Sequence, residues 1–327
     1  MKIISRLLVV VLAFSLLITG TTYAQDNGGF PRTVTDGAGN KVTINTKPVR
    51  IVSVTLGTDE ILLSLVDPAR LTAVTANALD PEESNVVEQA GHIPHQLATA
   101  DPEAIIALKP DLVFVASYTD AGIVKQLKDA NLIVFLLGNF SSIKDIENNI
   151  TLLGQVVGEE TQTATMVGAM DAKLKSVADA VKGIKPLTVL YYAPDGYSDG
   201  AGSTIDDVIT HAGGINVVTA GGIKDTYPQL SDEFVIKQDP DVILIAGLNK
   251  YSPGFADKFN KNPNFQTLKA VKNKRAVLVN DAHLDAVSQY IADGVSDVAA
   301  LLYPDAYKPE ATLSATTSAT IVATVAP

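Results

Sequence analysis

Residues Glu159 to Lys182 read EETQTATMVGAMDAKLKSVADAVK, and the rest of the chain is arranged about them. Val167, Met170, Leu174, Val177 and Val181 recur at alternating steps of three and four, the spacing of one face of a helix, and no proline interrupts them. A helix of this length spans ~36 Å at ~1.5 Å per residue, about the diameter of a small domain. The flanks on both sides alternate between strand and helix patterns. The stretch therefore reads as one rod joining two α/β units rather than as a helix within one of them.

Ahead of the rod, Thr33 to Thr35 and Lys41 to Ile44 flank Asp36-Gly37-Ala38-Gly39-Asn40 and predict a hairpin with a glycine-rich turn. Strands are expected over 50–55, 71–75, 111–116 and 133–137, with helices over 58–65, 101–108, 120–129 and 143–157. Beyond it, strands over 187–192, 216–218, 241–246 and 276–279 alternate with helices over 203–212, 231–237, 264–271 and 284–302. Such alternation implies parallel sheets covered on both faces. The expected fold is α/β, with two lobes, each a mainly parallel sheet flanked by helices, joined by one long backbone helix. The boundaries are an N-terminal lobe at 25–158, a linking helix at 159–182 and a C-terminal lobe at 183–308. A flexible Ala/Thr/Ser-rich tail is expected at 309–327.

A chain of 327 residues, 46% hydrophobic and 19% charged, is long enough for two such cores. Its first 24 residues read differently. Lys2 and Arg6 precede the apolar run Leu7 to Ile18, and Thr22-Tyr23-Ala24 offers a small-x-small cleavage site, the pattern of a secretory signal peptide. Cleavage near Ala24 shifts the net charge from −11 to −13, a balance that repels phosphate backbones and argues against a nucleic-acid partner. There is no cysteine, hence no disulfide, thiolate metal site, thiol nucleophile or lipid-anchor cysteine. The expectation is a freely diffusing monomer, periplasmic or extracellular.

An internal repeat relates the two lobes. Residues 101–116, DPEAIIALKPDLVFVA, align without a gap on residues 231–246, SDEFVIKQDPDVILIA, 130 positions apart. Each copy has a capping residue, a glutamate at the second helical position, a short helix, Pro-Asp and an apolar strand. A carboxylate in the first turn complements the helix dipole and needs no other role. The matched positions of Glu103 and Glu233 in two matched lobes point instead to a pair of equivalent contact points.

The chain resembles the helix-linked (class III) periplasmic substrate-binding proteins of ABC importers for iron-siderophore, haem and cobalamin. The matching stretches are Asp36-Gly37 with Arg50 to Ser53, Glu60 to Leu62, Ala107 to Val113, Gly202 to Asp206, Ala212 to Asn216, Tyr227 to Glu233, Asp239 to Ile243 and Ala270 to Asn273. They run from about Phe30 to Tyr307. The resemblance implies an exported protein that holds a solute between its lobes and delivers it to an ABC importer. In it Glu103 and Glu233 would dock into arginine pockets of the two permease subunits, the chain's one contact with the membrane. Exposed carboxylates suit bidentate arginine pairs, and two at fixed separation select orientation.

Loops leaving the carboxyl ends of parallel strands build sites in such sheets. His92, His95, Tyr118, Tyr192, Tyr197, Tyr227, Tyr251 and His283 lie in or beside those loops and are the candidate ligand-binding residues. His92 and His95 sit where some haem-binding relatives carry an axial tyrosine, so they would be metal ligands if the solute is haem; as plain loop histidines they need no such role. Tyr191 and Tyr192 end a strand, so one side chain is expected in the lobe core and the other toward the cleft. Tyrosine walls suit a large ringed ligand, and the cleft loops hold Lys224 and Lys250 but no arginine, which disfavours an anionic catecholate. Haem, a near-neutral ferric siderophore and cobalamin remain.

Catalysis finds little support. Gly200-Ala201-Gly202-Ser203-Thr204 lacks the lysine of a phosphate loop and the GxSxG spacing, and Ser203 with Asp206 reads as a helix cap. No HExxH or closed zinc spacing occurs. The chain reads as a binding protein with no catalytic cofactor, with a sensor or scavenger that meets no permease as the alternative and a hydrolytic enzyme behind both.

Overall fold

The computed structural model describes residues 29–247, 250 and 252–309. The expected signal peptide, the tail beyond residue 309 and Tyr251 lie outside them. A hairpin of β1 (Arg32–Thr35) and β2 (Lys41–Ile44) comes first. There follow β3 (Ile51–Ser53), α1 (Leu56–Leu65), β4 (Leu71–Thr75), α2 (Val87–Ala90), β5 (His95–Leu97), α3 (Pro102–Ala107), β6 (Leu112–Ala116), α4 (Ala121–Asp129), β7 (Val134–Leu137) and α5 (Ile143–Val157). Helix α6 (Glu160–Val181) is continuous over 22 residues. After it come β8 (Thr188–Tyr192), α7 (Thr204–His211), β9 (Ile215–Asn216), α8 (Val217–Ala220), α9 (Asp232–Gln238), β10 (Val242–Ile245), α10 (Phe255–Lys261), α11 (Lys269–Lys272), β11 (Ala276–Leu278), α12 (Asp281–Leu284) and α13 (Ile291–Leu302).

Both main sheets are parallel throughout. The first runs β5-β4-β3-β6-β7 and the second β11-β10-β8-β9, the same order without a counterpart of β5. The repeat is legible in hydrogen bonds. The Asp111 carboxylate accepts from the backbone N–H groups of Val49 and Arg50 at the entry to β3, and the Asp241 carboxylate accepts from the N–H and hydroxyl of Thr188 at the entry to β8. Lys109 (φ 51°) and Asp239 (φ 41°), each two residues ahead, both take the left-handed conformation that ends the preceding helix. The hairpin docks on β7, where the Gly37 N–H donates to Leu136 O at 2.7 Å. A Cβ on Gly37 would lie 2.2 Å from the Gly138 nitrogen, so no larger residue fits.

Among the described residues the hydrophobic core has three parts. The outer face of each sheet has its own, with Ile105 and Leu127 on the first and Val235, Phe259 and Phe265 on the second. The third is shared: it runs from Phe114 and Phe135 of the first sheet through α1, α5, α6 and α13 to Val189 and Leu244 of the second. Helix α6 is not a bare rod, because Thr163, Met170 and Val177 are buried and Met166, Val167, Leu174 and Val181 pack against this shared core. That stripe is the one read from the sequence. Arg70 anchors its entry, donating to Glu159 Oε1 at 2.5 Å and to Val157 O at 2.7 Å, and Lys173 pairs with Asp293 on α13.

Three expected elements differ. The helix over 284–302 begins only at Ile291, as α13; α12 ends at Leu284, and between them Ser288 and Gln289 bond across to α1. The helix over 264–271 is a 3-10 turn at 263–265 followed by α11, and the strand over 216–218 ends at Asn216, whose side chain caps α8 by accepting from the Val218 N–H. Elements α2, β5 and α10 were not expected; each is seven residues or shorter, too short for a periodic pattern.

Candidate functional site

Because the helices run antiparallel to the strands they connect, the carboxyl ends of both sheets and the amino ends of those helices face one crevice between the lobes. Two adjoining cavities of about 400 and 300 Å³ occupy it, and Leu56 and Tyr118 line both. The larger is walled by α1 on one side and by the turn 281–287 on the other. The smaller lies wholly on the N-terminal lobe, over the ends of β3, β4 and β5. Tyr118, in the turn after β6, is 64% exposed, lies 5.7 Å from the Phe140 ring in a tilted contact, and lines both cavities.

The crevice is acidic. Glu60, Glu83, Asp281 and Asp285 line the larger cavity, and among the described residues no lysine or arginine lines either one, though the Lys250 ammonium lies 3.4 Å from Glu83 Oε1 and 2.6 Å from Asp80 Oδ2. Glu60 on α1 is buried and accepts from the N–H and side-chain amide of Asn85 (both 2.9 Å) and from the Ser288 hydroxyl of the opposite lobe. Burial holds its carboxyl above the usual range despite those bonds. Asn85 in turn donates to Ala282 O at 2.7 Å, and Gln289 donates to Glu60 O at 3.1 Å, so one carboxylate organises the lobe contact beneath the crevice.

Next to it, Asp59 is fully buried, accepts from the Thr75 N–H and hydroxyl, and is pushed up to about 7, chiefly by burial. Solvent reaches Asp285 through the open crevice, yet the walls remove most of the surrounding water, and with Asp199 and Asp281 near it its carboxyl is raised to about 7. Asp199 is raised to about 6 for the same first reason. Asp281 is buried and receives the Gly247 N–H at 2.6 Å. Carboxylates this crowded repel one another and favour a cationic or hydrogen-bond-donating occupant.

Of the residues expected at the site, the structure brings Tyr118 into it. Tyr197 and Tyr227 are exposed on loops of the C-terminal lobe beside it and line neither cavity. Tyr192 requires correction: it is 8% exposed and packs in the C-terminal core against Phe255, Phe259 and Phe265. Alternation along β8 turns Tyr191 the other way, toward Asp199, Asp281 and Asp285, whose charges add to burial in raising its pKa. His95 opens β5 opposite Ala73, with His92 before it; both are exposed, and it is the other end of that strand, Leu97 to Ala100, that lines a cavity. His283 turns to α13, its Nδ1 2.7 Å from Asp297 Oδ2; burial opposes its charge, but Asp297 outweighs that and raises its pKa. Among the described residues no three His, Cys, Asp or Glu side chains are gathered to hold a metal ion.

The sequence reading missed Glu60, Glu83, Asp199, Asp281 and Asp285, and of the pair Tyr191 and Tyr192 it took the wrong member toward the cleft. The signal available for two of them was the spacing of Asp281 and Asp285 in DAHLDA directly after a strand. Glu103 and Glu233 each stand second in their helices, exposed, on the crevice side of their sheets.

Comparison with known proteins agrees with this architecture. Residues 51–282 match the model of the periplasmic binding protein family. An uncharacterized ABC transporter substrate-binding lipoprotein of Bacillus subtilis is 27% identical over 288 residues, 85% of this chain and 88% of that protein. A cobalamin-binding protein of Halobacterium salinarum is 28% identical over 218 residues, 66% of this chain and 58% of that protein. Among solved structures, the apo form of a periplasmic haem-binding protein from Roseiflexus superposes with a TM-score of 0.69 at 23% identity, over 79% of this chain and 98% of that one, a likeness of fold.

Proposed function

The chain belongs to the periplasmic binding protein family, and from that premise we infer that it captures a solute in the inter-lobe crevice and delivers it to an ABC importer. No helix among the described residues is long and apolar enough to cross a membrane, which suits a carrier acting outside it. Its solute is a neutral or cationic ringed metal complex, and a corrinoid fits best. One observation carries this reading: four carboxylates line the larger cavity and, among the described residues, no lysine or arginine lines either one, although the Lys250 ammonium, paired with Asp80 and Glu83, offsets part of that charge. Carboxylates at such a density repel haem propionates, catecholate complexes and oxyanions, whereas the peripheral amides of a corrinoid donate hydrogen bonds to them and its ring lies against tyrosine. The similarity to a cobalamin-binding protein supports the same choice.

Glu103 and Glu233 serve as the contacts to the two membrane subunits. A continuous α6 packed along both lobes favours closure by a small tilt over a wide hinge, since bending it breaks backbone hydrogen bonds. A sensor or scavenger would use the same crevice without those two glutamates.

Parallel titrations of the purified chain with cobalamin, haemin and a ferric catecholate test the ligand. Saturable binding of cobalamin at one per chain, with weak or no binding of the other two, is expected. Preferential binding of haemin, with a Soret shift lost in His92→Ala or His95→Ala, would replace the corrinoid with haem.

A further inference from the structure

The repeat that matches Glu103 with Glu233 also matches Ile106 with Ile236, and both isoleucines are exposed, at 36% and 42%. In each helix the preceding position, Ile105 or Val235, is fully buried in the outer core of its sheet. The helix is thus pinned by one aliphatic side chain while its neighbour is turned to solvent. Positions three apart lie on one helix face, about 5 Å apart. Each lobe therefore presents the same pair, a carboxylate and an aliphatic knob one turn below it, beside the crevice mouth. Among the described residues neither glutamate side chain has a hydrogen-bonding or ion-pair partner. Isoleucine is matched at these two positions, whereas their neighbours are not: exposed Ala104 stands against half-buried Phe234, and exposed Ala107 against exposed Lys237.

We propose that Glu103 with Ile106, and Glu233 with Ile236, are two copies of one composite docking element. Its partner is the pair of membrane subunits of the importer, each offering a cationic side chain beside an apolar recess. The inference rests on the docking role given to the glutamates above and extends it: the ion pairs set orientation and encounter, and burial of the isoleucines holds the complex. Two like elements on two like lobes require two equivalent sockets, so the partner is itself two-fold or nearly so.

The test is uptake of radiolabelled cobalamin by cells that lack their own copy of the chain and are supplied with variants, alongside cobalamin affinity of each purified variant. Ile106→Ala/Ile236→Ala is expected to lower uptake about tenfold or more with affinity unchanged, each single variant to lose a similar share, and Ile106→Val/Ile236→Val to restore uptake. Parental uptake by the alanine pair, with uptake lost in Glu103→Lys/Glu233→Lys, overturns the proposal and leaves the glutamate docking intact. Loss in the alanine pair with parental uptake in the lysine pair supports the isoleucine contact and removes the glutamates from it. Parental uptake in both pairs overturns both. Circular dichroism of the alanine pair, expected to match the parent since neither side chain is buried, keeps misfolding out of the reading.

Discussion

The hydroxyl of Ser288, on the turn between α12 and α13, donates to the Glu60 carboxylate on α1 of the other lobe. The lobes thus meet through a buried carboxyl group directly beneath the solute crevice. Leaving one acceptor of a buried carboxylate unpaired costs about 1–3 kcal/mol. Ser288→Ala is expected to destabilise the chain by an amount in that range and to broaden the distribution of lobe orientations. Urea unfolding and small-angle scattering measure the two effects; no change in either would mean that the contact is incidental.

Gly57 sets how closely the walls approach. A Cβ there would lie 2.4 Å from Val287 Cγ2 and 3.1 Å from Val287 O, so Gly57→Ala pushes the turn 281–287 away from α1. Weaker solute binding is expected, partly recovered in Gly57→Ala/Val287→Ala, where the nearer clash is removed. Calorimetric titration of the single and double variants checks this, and equal affinity of Gly57→Ala and parent would refute it.

Stability should fall as pH rises from about 4 to about 7. Asp59, with its carboxyl raised to about 7, holds a proton in the folded chain that the unfolded chain gives up near its ordinary value of 3.8. Between those two values the folded state binds more protons, so each rise in pH favours unfolding. Asp199 and Asp285 act in the same direction, as does His283, whose raised pKa contributes stability that is lost as pH climbs through it. Asp80, held low by the Lys250 hydrogen bond, has the opposite sign but matters below its unfolded pKa. Thermal melts of the parent should show a higher midpoint at pH 5 than at pH 8, and Asp59→Asn should raise the midpoint at pH 8 by more than at pH 5.

Tyr118 and Tyr192 should separate binding from folding. Tyr118→Ala removes the exposed ring at the junction of the two cavities and is expected to weaken solute binding about tenfold with little change in stability. Tyr192→Ala empties an aromatic core site and is expected to cost about 3–5 kcal/mol of stability, with the folded fraction binding normally. Unfolding and titration on both variants decide it, and a reversal of the two patterns would move the site to the other face of β8.

Sequence carried the fold further than the site, for physical reasons. The stripe along α6 and the gapless repeat of 101–116 on 231–246 are local patterns, and they give the parallel sheets and the pseudo-equivalence that Asp111 and Asp241 display in their hydrogen bonds. The crevice was reachable as a set of loops. Its lining was not, because it depends on tertiary contacts: Ser288, in a helix-compatible stretch, bonds across to Glu60, and whether Tyr191 or Tyr192 faces the crevice is set by the side of β8 on which α10 and its phenylalanines pack. Aromatic and imidazole side chains attracted attention as rare residue types, whereas the aspartates that line the crevice look in sequence like ordinary surface charge.

A crystal structure of the chain with cobalamin tests the central claim most directly. The account predicts one corrinoid between α1 and residues 281–287, its ring edge against Tyr118 and its amides within hydrogen-bond distance of Asp281, Asp285 or Glu83. Corrinoid density elsewhere on the surface with the crevice empty, or a metal centre held by His92 or His95, would contradict it.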